Sequence, residues 1–133
     1  MEIVKAAIDG WNRRDWDAVF QDVAPGFEAD WSRALGPWRG VFKLDQFRGA
    51  LEEFTGGFES VRIEPDDFIE AGDVVVVPLT GHVKGREGIA TLARVTFVLT
   101  VRDGAIERVA MYQERREALE AVGLSEQDAH ADS

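Results

Sequence analysis

Asp30 lies between Ala29 and Trp31, with Phe27 and Trp38 close by in the sequence. A carboxylate among aromatic rings is partly stripped of water, which raises its pKa toward that of a useful general base. An aspartate at this point has a second use, as a turn residue leading the chain into the segment that starts at Ser32. His82 is the one histidine outside the polar tail, which holds His130. Imidazole alone has an unperturbed pKa near neutrality, so an Asp30 and His82 pair would let one group remove a proton while the other returns it. A histidine near a hairpin tip is equally at home in solvent. Arg94 offers a planar fork of donors, suited to neutralising Asp30, to holding an anionic ligand or to a surface salt bridge.

Other chemistries find no residues to carry them. The chain has no cysteine, so thiolate nucleophiles, disulfides and sulfur-ligated metals are out, which suits a reducing cytoplasm. Two well-separated histidines without a His-Glu-x-x-His motif make no zinc centre, and Asp66-Asp67 lacks the alternating oxygens of a calcium loop. Residues 81–88 are glycine-rich but carry no Gly-Lys-Ser/Thr, and no Gly-x-Ser-x-Gly elbow exists. Any catalysis is therefore expected to need no cofactor and no metal, and to rest on carboxylate, imidazole and guanidinium groups.

The elements that must position these groups follow from apolar spacing. Ile3, Val4, Ala7, Ile8 and Trp11 mark one face of a first helix, and Asp15 is placed to cap a second that carries Trp16, Val19, Phe20 and Val23. Pro25-Gly26 is expected to end that helix, residues 27–31 to form a short strand, and residues 32–40 a loop held down by tryptophans. Leu44, Phe47, Leu51 and Phe54 line a third helix, stopped by Gly56-Gly57. From Phe58 onward the period changes to two. Strands are predicted over Val61 and Ile63, over 74–83, over 91–101 and over 106–113, with turns at Gly72-Asp73, at 84–88 and at Asp103-Gly104. A short terminal helix over 116–122, capped by Gly123, precedes a polar tail at 125–133.

With 133 residues and 45% hydrophobic residues, the chain is one domain able to build a core. Its 25 acidic against 15 basic residues give a net charge of −10, which repels a phosphate backbone and makes nucleic acid an unsuitable partner. No segment has the apolar length of a membrane span, and no basic and apolar leader is visible at the N-terminus. Helices followed by a curled antiparallel sheet make an α+β arrangement, whose open end is a natural ligand pocket.

The segment Trp11-Asn12-Arg13-Arg14-Asp15, the Arg39-Gly40 pair and the Gly72-Asp73 turn before a valine strand belong to a familiar pattern. With Arg102-Asp103-Gly104-Ala105-Ile106, Met111-Tyr112 and the ending Glu117-Ala118-Leu119 to Gly123-Leu124, the chain resembles the SnoaL-like branch of the nuclear transport factor 2-like superfamily over residues 1–124. The resemblance implies an α+β, cone-shaped barrel of a curved antiparallel sheet around three N-terminal helices, dimeric through the outer sheet face, with an apolar pocket between sheet and helices. It implies no single function, since members include ketosteroid isomerase, scytalone dehydratase, limonene epoxide hydrolase, polyketide cyclases and non-catalytic binding domains.

Asp30 matches the place of the isomerase's proton-shuttling aspartate, and aligning the strand on that pattern points Thr80 and His82 into the pocket, with Leu79, Gly81 and Val83 opposite. Leu92, Arg94, Thr96 and Val98 share one face of the next strand; Val109, Met111 and Gln113 share one face of the last. The family's other groups are missing. Ala7 stands where the isomerase has its oxyanion tyrosine, Thr96 about where it has a protonated aspartate, and Met111 about where the epoxide hydrolase has its acid. The enolate would lack its two strong donors, which disfavours that mechanism. The resulting expectation has two branches. In one, the pocket performs cofactor-free acid/base chemistry on an apolar or aromatic ketone-like substrate, with Asp30 as base and His82 as acid. Its lining would be Trp11, Trp31, Trp38, Thr80, Arg94, Thr96, Met111 and Gln113. In the other, the protein is a ligand-binding or dimerisation module without turnover.

Overall fold

The apolar face of the first segment produces α1 (Glu2–Asn12), in which Val4 and Trp11 are buried. Asp15 then caps α2 (Trp16–Val19), its carboxylate accepting from the Ala18 N–H at 3.2 Å. This second helix is a single turn. Val23 already belongs to β1 (Val23–Trp31), and Pro25 and Gly26 lie exposed inside that strand instead of ending a helix. They fall where the pairing register shifts between Val23 and Glu28, an irregularity that tolerates a residue without an N–H. Gly40, expected to end the loop, and residues 41–43, for which no element was expected, form β2 (Gly40–Lys43) against β1, and α3 (Leu44–Gly56) buries Phe47 and Leu51 as its spacing predicts. The coordinates, a computed structural model, describe residues 1–34 and 39–125. Trp38 and all of the polar tail beyond Ser125 lie outside them.

The second half is β3 (Phe58–Pro65), β4 (Ile69–Ala71), β5 (Val74–Gly85), β6 (Ala90–Arg102), β7 (Ala105–Tyr112) and α4 (Arg115–Ala121). Asp103 and Gly104 join β6 to β7 with φ of 53° and 74°, the left-handed pair that a two-residue hairpin needs. After α4 the Leu124 N–H donates to the Leu119 carbonyl at 2.8 Å, closing the helix at Gly123.

The strands form one sheet in the order β2-β1-β7-β6-β5-β3, with β4 on β5. It is mixed rather than wholly antiparallel: β1 runs parallel to β7, and the other pairings are antiparallel. The parallel pair joins the first strand to the last, so the intervening chain supplies the long crossover that parallel neighbours require. The path stays open between β2 and β3.

Alternation along the strands divides the side chains into two layers. On the inner face Phe27, Ala29, Val75, Val77, Leu79, Leu99 and Val109 pack with Val4, Trp11, Phe47 and Leu51 of the helices, forming the main core. On the outer face Ile69, Val76, Val98, Ala110 and Tyr112 pack under Ala118 and Leu119 of α4. Asn12, at the end of α1, fastens the helices to the free edge of β3. Its Nδ2 donates to the Ile63 carbonyl and its Oδ1 accepts from the Ile63 N–H, both at 2.8 Å, so the side chain stands in for a neighbouring strand.

Candidate functional site

Between the inner sheet face and the helices the side chains leave two adjoining cavities, of about 70 Å³ and about 160 Å³. They share Trp11, Trp31, Phe47, Leu51, Ile63 and Phe97 as walls. The smaller one continues under α1 and α2, and the larger runs toward Gly81, Ala93 and Val95 on β5 and β6. Aromatic packing shapes the partition: the Trp31 ring lies 4.9 Å from Phe47 and 5.4 Å from Phe97, centroid to centroid. Cavities of about 150 Å³ with such walls stay dry and take up benzene-sized molecules.

The chemical content of the lining decides what the site can do. Among the described residues, none that lines either cavity is ionisable. The side chains of these described residues offer two nitrogen or oxygen atoms, the indole nitrogens of Trp11 and Trp31. Trp11 Nε1 is buried and has no hydrogen-bond acceptor.

Trp11, Trp31 and Met111, expected as pocket residues, do line the cavities. Ala7, at the place of the isomerase's tyrosine, lines the smaller one and leaves it without that donor. The remaining assignments need correction. Asp30 follows Ala29 and precedes Trp31, both on the inner side, so alternation turns its carboxylate to the outer face, where it pairs across β7 with Arg108. Thr80, His82, Arg94 and Thr96 share the parity of Val76 and Val98 and so also face outward. The alternating sets were right and their direction was inverted. Leu79, Gly81 and Val83, with Ala93, Val95 and Phe97, form the cavity wall instead. That wall had a partial signal in the sequence, since one parity of these strands is apolar apart from Thr91 while the other holds Thr80, His82, Lys84, Arg94, Thr96, Thr100 and Arg102.

Asp30 and His82 do not meet. They sit on β1 and β5, separated by β7 and β6, about 14 Å across the strands at roughly 4.8 Å per strand; the register also sets Asp30 level with Val76, so His82 lies six residues further along β5. His82 is half-buried on the outer face, and its Nε2 lies 3.6 Å from Glu64 on β3. Thr80 donates to Asp66 at 3.3 Å, and Arg94 is exposed without an ion pair among the described residues. Gln113 donates to the Arg33 carbonyl at 2.9 Å, so it holds the loop after β1 and not a ligand.

Asp30 performs the turn role. Its Oδ1 accepts from the Ser32 hydroxyl at 2.6 Å and the Ser32 N–H at 3.0 Å, and its Oδ2 accepts from Arg108 at 2.8 Å and Arg33 at 3.4 Å. Burial pushes this carboxyl up, but the Ser32 hydrogen bonds and the Arg108 and Arg33 guanidiniums outweigh it, and the pKa lies below the ordinary aspartate value. That is the opposite of a raised general base. Arg33 also stacks 4.2 Å over the Tyr112 ring, and Arg108 reaches Glu28 at 3.7 Å, completing an outer-face clamp.

Among the described residues no group of three or more His, Cys, Asp or Glu could hold a metal ion. No helix among them is long and apolar enough to cross a membrane.

A family model described as SnoaL-like domain matches residues 4–109. No curated protein matches the chain. Similar solved structures include TerC co-crystallized with polyporic acid, at 22% identity and a TM-score of 0.75, covering 91% of this chain and 95% of that one. A hypothetical protein with a ketosteroid isomerase-like fold from Catenulispora acidiphila, in complex with trimethylamine, matches at 19% identity and a TM-score of 0.73, covering 92% and 93%. The epoxide hydrolase/cyclase-like enzyme SalBIII, associated with pyran ring formation in salinomycin, matches at 18% identity and a TM-score of 0.71, covering 85% and 88%. At these identities the likeness is one of fold.

Proposed function

This chain belongs to the SnoaL-like domain family, and we propose that within it the protein acts as a binder of small apolar ring compounds, held in the paired cavity between helices and sheet. One observation carries the reading: among the described residues, the walls of both cavities hold no ionisable side chain. A proton-transfer enzyme needs a titratable group within hydrogen-bond reach of the reacting atom. Asp30 and His82 lie on the other side of the sheet, so the isomerase, cyclase or dehydratase branch of the expectation finds no acid or base at this site. What the cavity offers is desolvation and aromatic contact, which suit a ligand of one or two rings.

Two copies of the chain are proposed to associate through the part of the outer face that α4 leaves uncovered. Leu92 is 63% exposed there, and Arg62, Glu64, Arg94 and Lys84 around it carry both signs, so a two-fold contact can oppose unlike charges.

The ligand reading is tested with tetralin, a two-ring hydrocarbon, titrated against tryptophan fluorescence and melting temperature. Saturable binding that raises the melting temperature is expected. Gly81→Leu and Ala50→Leu place side chains into the larger cavity from opposite walls, and a β-carbon at Gly81 meets only ordinary contacts, with the Ala93 carbonyl at 3.5 Å. Each is expected to weaken tetralin binding at least tenfold. Unchanged affinity in both folded variants would remove the cavity from consideration.

A further inference from the structure

We propose that the two cavities are successive compartments of one site, and that its ligand is a single aromatic ring carrying a straight alkyl arm of about three carbons, the ring in the larger cavity and the arm in the smaller. This rests on the reading of the cavity as a ligand site and adds to it the shape and class of the occupant.

The volumes set what each compartment holds. An apolar cavity of about 150 Å³ takes up benzene, which is about 25 Å³ for each of its six carbons. The larger cavity, of about 160 Å³, has room for one ring, and the smaller, of about 70 Å³, for about three carbons and no ring. The walls agree with this division. The larger cavity adds Phe42, Phe54 and Met111 to the shared aromatic residues, and a flat ring packs well against such faces and against a thioether. The residues that line only the smaller one are aliphatic apart from Phe20 and Phe27.

Exposure orders the compartments. Among the described lining residues Ala93 alone is exposed, and it belongs to the larger cavity, so a ligand enters beside β6 and meets that compartment first. The two cavities share six wall residues and so abut, and an arm on a ring seated in the first reaches the second past Trp31, Phe47 and Phe97. These rings pack closely at the boundary, which favours the slimmest group, an unbranched chain. No polar group is required, since each methylene moved from water into the inner compartment strengthens binding about fourfold.

The test is the series from toluene through ethyl-, propyl-, butyl- and pentylbenzene to hexylbenzene, titrated against tryptophan fluorescence and melting temperature. For the unmodified chain, affinity should rise about fourfold per carbon through propyl- or butylbenzene and then level off, whereas simple partition out of water rises with every carbon. Ala7→Leu fills the smaller cavity from α1 and should flatten the series while toluene binds within about twofold of the parent. Val109→Ala enlarges the same cavity from β7 and should carry the rise further by up to about two carbons. Ala50→Leu, on a wall of the larger cavity alone, should weaken every member about tenfold. A rise unbroken to hexylbenzene in the unmodified chain, or an Ala7→Leu variant that loses toluene as much as butylbenzene, would overturn the proposal while leaving the cavity reading in place. Binding of no member by the unmodified chain would sink both. Should Ala7→Leu not fold, Val109→Ala decides, and a plateau that stays where it is in the parent overturns the two-compartment proposal.

Discussion

Asp30→Ala separates a structural aspartate from a catalytic one more sharply than any other single change. The side chain is 11% exposed and accepts four hydrogen bonds, two from Ser32 and one each from Arg33 and Arg108. The Ser32 contacts are local, part-buried and made to a charged acceptor, so each contributes about 1 kcal/mol. The arginine contacts come from side chains that are 39% and 40% exposed, and solvent screening reduces each to about 0.5 kcal/mol. The expected loss at pH 7 is about 3 kcal/mol. With about 2.1 cal/mol/K of unfolding entropy per residue, a chain of 133 residues has about 0.28 kcal/mol/K, so the melting temperature should fall by about 10 °C. The deficit should also depend on pH. Because the folded pKa of Asp30 lies below its ordinary value of 3.8, its contribution is complete above that value and is lost as pH falls through the folded pKa. The melting curves of the two proteins should therefore draw together below about pH 4. Differential scanning calorimetry from pH 7 to pH 3, with a tetralin titration at pH 7, reads both parts. Tetralin affinity should stay within about twofold, since Asp30 faces away from the cavity. A variant that melts within about 2 °C of the parent yet no longer binds would refute the outer-face placement.

Two further perturbations follow from the same geometry. Asn12→Ala removes both hydrogen bonds to the Ile63 backbone at the edge of β3, and leaving that N–H and carbonyl unpaired should cost about 2 to 3 kcal/mol, read as a drop of about 7 to 10 °C in melting temperature. Leu92→Glu places a charge on the uncovered outer face. Light scattering across a concentration series should show the unmodified chain as a dimer and the variant shifted to monomer, and a parent that stays monomeric throughout would defeat the dimer proposal.

Much of the fold was legible because it depends on local pattern. The face of α1, the Asp15 cap, the apolar spacing of α3 and the Asp103-Gly104 hairpin are short-range chemistry, and each appears where its residues require it. Two features were misplaced for a physical reason. Val23 and the Pro25-Gly26 pair looked like a helix end, but the parallel partner β7 draws Val23 into the sheet, and its Ile106 N–H bonds the Asp22 carbonyl at 2.7 Å. Gly40 was expected to end a loop and residues 41–43 carried no strand signal, until β1 supplied the other half of a ladder. For the candidate site, aromatic neighbours along the chain suggested a desolvated Asp30. Neighbours in sequence on a strand are on opposite faces, however, so Trp31 and Asp30 are separated by the sheet itself.

The sequence by itself determined the family, the α+β order of elements and the two alternating sets of side chains on every long strand, because these follow from period, turn chemistry and composition. Only the tertiary structure decided which set faces the helices. The more apolar parity of β5 and β6 marked one set as the better buried, but both faces carry apolar residues under a cover, α1 and α3 on one side and α4 on the other, and which cover lies on which face is decided by how the helices dock. That docking buried the apolar parity around Trp11 and Trp31 and turned Asp30, Thr80, His82 and Arg94 to the other side. It left a cavity whose chemistry is apolar and aromatic contact.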